Sequence, residues 1–327
     1  MTSSDVLLVE HLKVTFPRSG ETPFHAVNDV SLTLKTGEAL GIVGESGSGK
    51  TMTALSMLGL VPQPGEITGG AITLQGEPLA GLSEKALQRR RGRDIGMIFQ
   101  DPMTSLNPVR RVGSILVESV RRHNTTSKSD ARKTALQALK DVGVPSPEQR
   151  LDAYPHELSG GLRQRVMIAL AIINHPSVIV ADEPTTALDA TIQAQILDLL
   201  RERLSDAALV LITHDLGVAA EICDRVAVMY HGRIVEMGPT ADILHNPAHP
   251  YTVGLLAAVP HFDFSRQRLA SIPGAPPAPG DTVIGCSFAA RCDQASSICR
   301  QNPVPVLRGH RMVACWSPLT GEVVHEQ

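Results

Sequence analysis

The chain has 327 residues, 43% apolar and 19% charged, which suits a globular protein with a real core, built as one large domain and a smaller one. Its net charge of −3 lacks the basic excess of a nucleic-acid-binding protein. The longest apolar run, residues 166–173, is too short to span a bilayer, and the first residues carry no basic-then-apolar export signal, so a cytoplasmic chain with at most a peripheral membrane role is expected. Aromatics are 3%, so the core is aliphatic, and five cysteines in a reducing compartment argue against structural disulfides.

Residues 6–43 read as short strands, with turns at residues 18–20 and 35–38. Phe16 lies ahead of a glycine-rich turn and could stack on a base; Phe24 is its rival, and inward packing is the plain alternative. Residues 39–43 form an apolar run expected to be a buried strand, and residues 52–58 read as a helix. Between them stand Gly44, Glu45, Ser46, Gly47, Ser48, Gly49, Lys50 and Thr51, the phosphate-loop pattern. Glycines let successive N–H groups turn inward at a helix N-terminus. A lysine there reaches the β- and γ-phosphates, and a threonine hydroxyl can ligate Mg²⁺.

Residues 69–76 suggest a strand and turn, and the arginines at 89, 90, 91 and 93 suggest a solvated helix end. Residues 95–99 form an apolar strand ending at Gln100, where a polar side chain points into the ligand crevice of an α/β fold. Residues 101–175 turn helical, with Ala131, Ala135, Leu136, Ala138, Leu139 and Val142 at helical spacing, and read as an inserted subdomain. Ser159, Gly160 and Gly161 precede a strong helix, either as a cap or as a second anion site. Residues 177–181 form a strand ending in Asp182 and Glu183, placed for Mg²⁺ binding and water activation beside a phosphate loop. A helix over 191–204, a strand over 208–213 ending at His214, and a hairpin turning near His231-Gly232 complete this part.

The proline-rich residues 261–285 read as an extended linker. Beyond it, Cys286, Cys292, Cys299 and Cys315 stand apart by five, six and fifteen residues, while Cys223 sits in an apolar stretch as a packed thiol. The spacing lacks the close pairs of four-cysteine zinc sites; an iron–sulfur cluster or no metal at all also remain open.

The loop at 44–51, Gln100, the Leu158-Ser159-Gly160-Gly161-Leu162-Arg163-Gln164-Arg165 stretch, the Val178-Ile179-Val180-Ala181-Asp182-Glu183-Pro184 strand and His214 stand in an order that resembles the ATP-binding cassette of ABC transporters, over about residues 5–260. The stretches 101–108 and 246–252 and the cysteine tail 286–327, with Gly285, Arg291 and Trp316, narrow the resemblance to ATPase subunits of oligopeptide/dipeptide importers, a group that also handles nickel and glutathione. The resemblance implies an α/β P-loop NTPase with a RecA-like core, an N-terminal antiparallel β subdomain, a helical subdomain at about 101–175 and a small cysteine-containing extension.

It implies that Lys50 and the loop amides hold ATP, that Phe16 stacks on adenine, and that Thr51, Gln100 and Asp182 hold Mg²⁺. Glu183 would orient and polarise the attacking water, His214 would touch the γ-phosphate, and Asp189 would lie at the subunit interface. Ser159, Gly160 and Gly161 would cap the nucleotide of a second cassette. The expected partners are that second ATPase subunit, more often a different chain than a copy, two integral membrane permeases and an extracytoplasmic substrate-binding protein, with no nucleic acid. The expected place is the cytoplasmic face of the membrane. Members with such a tail can carry a [4Fe–4S] cluster on the four cysteines. The alternative is a non-transport ABC ATPase of translation or DNA repair. It is disfavoured by the single cassette and by the lack of sustained heptads between Lys50 and Asp182.

Overall fold

The computed structural model describes residues 5–18, 20, 22–185, 190–203, 207–258, 272–278, 280–281, 283–308 and 310–319. In chain order, β1 (Asp5–Phe16) and β2 (Phe24–Lys35) lead to β3 (Ala39–Val43), α1 (Lys50–Met57), β4 (Glu66–Leu74) and β5 (Glu77–Pro78). Then come α2 (Glu84–Arg90), β6 (Ile95–Ile98), α3 (Pro102–Ser105), α4 (Val112–His123), α5 (Lys128–Asp141), α6 (Pro147–Arg150) and α7 (Gly160–Ile172). They are followed by β7 (Val178–Asp182), α8 (Ala190–Arg203), β8 (Ala208–Thr213), α9 (Leu216–Ile222), β9 (Arg225–Tyr230) and β10 (Arg233–Pro239). The chain ends in α10 (Thr240–His245), α11 (Pro250–Ala257), β11 (Val306–Arg308) and β12 (Arg311–Val313).

The expected short strands before the phosphate loop are two strands of 12 residues. Each passes a left-handed residue, His11 (φ 49) or Asp29 (φ 68), whose side chains bond to each other at 2.7 Å. Paired to each other, these polar residues let both strands run on.

Contacts cluster into two units, one of residues 1–7, 34–38 and 75–210, the other of 8–33, 39–74 and 211–327. In the first unit β6 and β7 pair in parallel, Ile95 opposite Val178 and Ile98 opposite Ala181, and every residue of both is buried. Strands buried on both faces read as continuous apolar runs, which is why they stand out in the sequence. Helix α7 lies close on β6, since a Cβ on Gly96 would come within 2.3 Å of the Ala171 carbonyl oxygen. Helix α5 opens on Ser127, whose hydroxyl accepts from the Asp130 N–H (3.1 Å), and buries Ala131, Ala135, Ala138 and Leu139 of the face its spacing marked, with Leu136 half-buried. The arginine run ends α2 in ion pairs: Arg90 with Glu77 and Asp94, Arg91 with Glu84, Arg93 with Asp94.

In the second unit β3 pairs in parallel with β9, Leu40 opposite Arg225. Strand β10 returns antiparallel to β9 through His231 (φ 45) and Gly232 (φ 77), the two positive φ values of a tight hairpin turn. The tail joins this sheet: β12 pairs with β10, Val313 opposite Glu236, and β11 with β12. The cysteine-bearing extension is thus built into the unit that holds the phosphate loop. Ile272, inside the proline-rich stretch, packs on Gly254, where a Cβ would meet it at 2.9 Å. Cys223 is buried beside Gly41, and burial pushes its thiol up to about 12, as a packed core thiol.

Candidate functional site: a phosphate loop and an acidic strand end

The loop between β3 and α1 is shaped by its glycines. A Cβ on Gly44 would stand 2.2 Å from the Met229 carbonyl oxygen, and one on Gly49 2.4 Å from that of Ala26. Gly49, at φ 104, also takes the N-cap position of α1. Lys50 begins the helix, is 5% exposed, and donates to the carbonyls of Gly44 (2.7 Å) and Glu45 (2.9 Å). The loop folds on itself through Ser48 N–H to Glu45 O (3.2 Å) and is braced by the hairpin turn through Gly232 N–H to Ser48 O (2.8 Å). Ser46 and Gly47 at its crest are exposed, and Thr51 is half-buried. This is a cradle of N–H groups at a helix start with an ammonium beside it, the chemistry that holds phosphates.

Phe16 and Phe24 stand together, ring centroids 6.4 Å apart, and the Phe16 ring lies against Gly65. His214 is exposed where β8 ends; next to it Asp215 caps α9 by accepting from the Gly217 N–H (2.7 Å). In this unit, therefore, the loop, Phe16 and His214 are each placed.

In the first unit β7 delivers its two acids differently. Asp182 is 3% exposed as the last strand residue. Glu183 takes left-handed backbone (φ 47), costly for a residue other than glycine, and is followed by Pro184, whose carbonyl accepts from Gln164 Nε2 (2.6 Å). The turn swings the Glu183 carboxylate to Gln100, whose Nε2 donates to Oε2 at 3.2 Å. The structure thus brings Gln100 and Glu183 together. Ser159 takes the N-cap position of α7, but its hydroxyl makes no cap hydrogen bond. Gly160 is exposed and has open space where a Cβ would be. Asp189 lies outside the described residues.

Several residues around the loop went unmarked as site residues. Glu236 is fully buried and accepts from the N–H groups of Ala248 (2.8 Å) and His249 (2.9 Å). His249 caps α11, its Nδ1 accepting from the Tyr251 N–H (3.0 Å); burial pushes its pKa down to about 4, so the ring is neutral, as an acceptor must be. The Tyr251 hydroxyl, its pKa pushed up by burial, accepts from the Glu45 N–H (2.9 Å). The 246–252 stretch that carried the family resemblance is thus a brace for the phosphate loop. The signal available in the sequence was a His-Pro-Tyr at a helix start, which reveals a cap but not what the tyrosine reaches.

Cys286, Cys292, Cys299 and Cys315 are free thiols lining one small cavity with His249, Phe288 and Trp316. Cys286 N–H donates to the Cys299 carbonyl (2.9 Å), close to Gly285, where a Cβ would stand 2.3 Å from that same oxygen. Burial pushes the thiols of Cys286, Cys292 and Cys315 up, and neighbouring thiolates add to it. Among the described residues no group of three or more His, Cys, Asp or Glu is gathered tightly enough to hold a single metal ion.

Residues 27–186 match the ABC transporter family, and residues 235–299 match the family described as oligopeptide/dipeptide transporter, C-terminal region. The dipeptide transport ATP-binding protein DppD of Bacillus subtilis is 49% identical over 316 residues, covering 95% of this chain and 94% of its own. The oligopeptide transport ATP-binding protein OppD of Salmonella typhimurium is 47% identical, covering 97% and 95%. Among solved structures, a dimeric post-hydrolysis state of the ATP-binding cassette MJ0796 bound to ADP and Pi superposes with a TM-score of 0.65 at 28% identity, over 72% of this chain and 98% of that one. With a phosphate loop, an acidic strand end and relatives of this closeness over nearly its whole length, the chain belongs to the ABC transporter family, among the ATP-binding proteins of dipeptide and oligopeptide transporters.

Proposed function

We propose that this chain is the ATP-hydrolysing subunit that energises import of di- and oligopeptides, or related small solutes, from the cytoplasmic face of the membrane. The observation that carries the reading is the end of β7, where Glu183 is turned through left-handed backbone onto Gln100 beside buried Asp182. Lys50 and the N–H groups of residues 44–51 bind the β- and γ-phosphates, and Phe16 stacks on adenine. Thr51, Gln100 and Asp182 would hold Mg²⁺, directly or through water, and such an ion would supply positive charge against the phosphates. Glu183 orients the attacking water and draws on its proton, and His214 meets the γ-phosphate. A loose phosphoryl-transfer transition state needs positioned charge from several directions rather than covalent help.

One chain supplies part of that shell. The Ser159 hydroxyl makes no cap hydrogen bond and Gly160 has open space where a Cβ would be, which supports a role toward a nucleotide held by a second cassette. Asp189 would lie at that contact, and the second cassette is a different chain of the same family. Two permeases and an extracytoplasmic binding protein would complete the assembly, as the likeness to dipeptide and oligopeptide transport ATP-binding proteins supports. Affinity capture of the tagged chain from solubilised membranes is expected to bring down two permeases and a second ATPase. Recovery only with ribosomes or DNA would establish the non-transport alternative instead.

The four tail cysteines would hold a [4Fe–4S] cluster. They line one cavity, but are not gathered as a single zinc ion requires, and cluster thiolates stand farther apart. A bound cluster would cross-link the tail, and its thiols, pushed up by burial, would give up their protons on binding. Chain purified without oxygen is expected to contain iron and acid-labile sulfide in equal amounts, lost on Cys292→Ser; absence of both from wild type sinks this assignment.

A further inference from the structure

The phosphate loop is held from behind by the tail. Glu45, second residue of the loop, is bound at three points. Its N–H donates to Tyr251, its carbonyl accepts from Lys50 Nζ at 2.9 Å, and its carboxylate meets Arg291 in a fork, Nη1 to Oε2 at 2.6 Å and Nη2 to Oε1 at 3.0 Å. The two partners are 246 positions apart in sequence. Arg291 is not a surface arginine that happens to find an acid. Its side chain is 4% exposed, its Nε donates to the Pro273 carbonyl (3.0 Å), and its guanidinium lies over the rings of Tyr230 and Phe288, 5.9 and 6.0 Å from their centroids. Tyr230, Tyr251 and Phe288 pack on one another at 4.6–5.4 Å.

A buried guanidinium with this many fixed partners is rigid, and a bidentate fork fixes the carboxylate in direction as well as distance. That rigidity passes through the Glu45 backbone to the carbonyl against which Lys50 rests. The Glu45 carboxylate is itself partly exposed, so it would swing into solvent without Arg291.

We propose that Arg291 is a positioning residue for ATP hydrolysis: through Glu45 it sets the place of the Lys50 ammonium, so that the C-terminal extension is a working part of the nucleotide site. Its partner acid Glu45 completes the device, and the aromatic cluster covers the guanidinium side of the fork. The inference rests on Lys50 binding phosphate, and it holds whatever the four cysteines bind.

The test uses the complete transporter, measuring kcat and KM for ATP, with thermal unfolding as a control on folding. Arg291→Met is expected to raise KM for ATP and lower kcat, each by about tenfold, as small displacements of charged groups do. Arg291→Lys keeps the charge but not the fork, and is expected to recover part of the loss. Glu45→Gln disturbs the device from the loop side with the tail unchanged, and the double variant is expected to be no worse than the worse single one. A merely structural arginine would lower kcat with the folded fraction and leave KM alone. Unchanged KM in both Arg291→Lys and Glu45→Gln, or additive losses in the double variant, overturns the proposal. Wild-type transporter without ATPase activity would instead overturn the function on which it rests.

Discussion

Glu183→Gln is expected to cut ATP turnover of the assembled transporter by roughly two to three orders of magnitude while ATP still binds, because a general base contributes on that scale. The substitution is close to a single-atom change. Gln100 Nε2 now donates to Glu183 Oε2 at 3.2 Å, and an amide oxygen can accept the same bond, so the side chain keeps its place. What is lost is the negative charge that draws on the water's proton. The backbone adds weight to the choice of this acid. Glu183 sits at φ 47, a conformation held only where the surroundings insist, and Gln164 insists by bonding the next residue's carbonyl at 2.6 Å. Phosphate release measured under saturating ATP decides the matter: undiminished turnover would remove Glu183 from the chemistry and leave Asp182 or His214 to be tested next.

Lys50→Ala is expected to be at least as severe, lowering kcat/KM by about three orders of magnitude or more with the fold intact, in keeping with the loss of a transition-state charge clamp. Alanine suits the first turn of α1, so the helix stays. The carbonyls of Gly44 and Glu45 lose an ammonium donor, and water can reach a loop whose crest is exposed. The comparison that matters is with the second cassette. Transport and hydrolysis assayed together show whether one damaged loop disables both sites. Full transport by a Lys50→Ala complex would mean that the partner cassette suffices alone, or that Lys50 does not hold phosphate.

Much of the candidate site could be read from the chain because it depends on short-range rules. A phosphate loop needs glycines at fixed offsets, and the collisions a Cβ would meet at Gly44 and Gly49 are the physical content of that pattern. Strands β6, β7 and β8 are buried on both faces and therefore uninterrupted in apolar residues. The His231-Gly232 turn announces itself by needing two positive φ values. What stayed hidden depends on residues far apart. Nothing near Glu45 foretells Arg291, and nothing near Tyr251 foretells that its hydroxyl meets the Glu45 N–H. An arginine beside a cysteine reads as a flank of the cysteine motif, whereas its guanidinium serves the loop. Buried Glu236 reads as an ordinary strand acid, since the two N–H groups it satisfies come from residues 248 and 249.

The pairing of β12 with β10 has a consequence for how the tail can be studied. A strand with one side unpaired offers a row of N–H and C=O groups to any passing chain, and soluble proteins take care to cover such edges. Here Met312 and Val313 cover Met237 and Glu236. Cutting the chain ahead of Cys286 therefore does three things at once: it removes the thiols, it removes Arg291 from Glu45, and it bares an adhesive rim on the sheet that leads into the phosphate loop. Insolubility of such a shortened protein would not separate these effects, and single substitutions are the way to ask what the tail contributes.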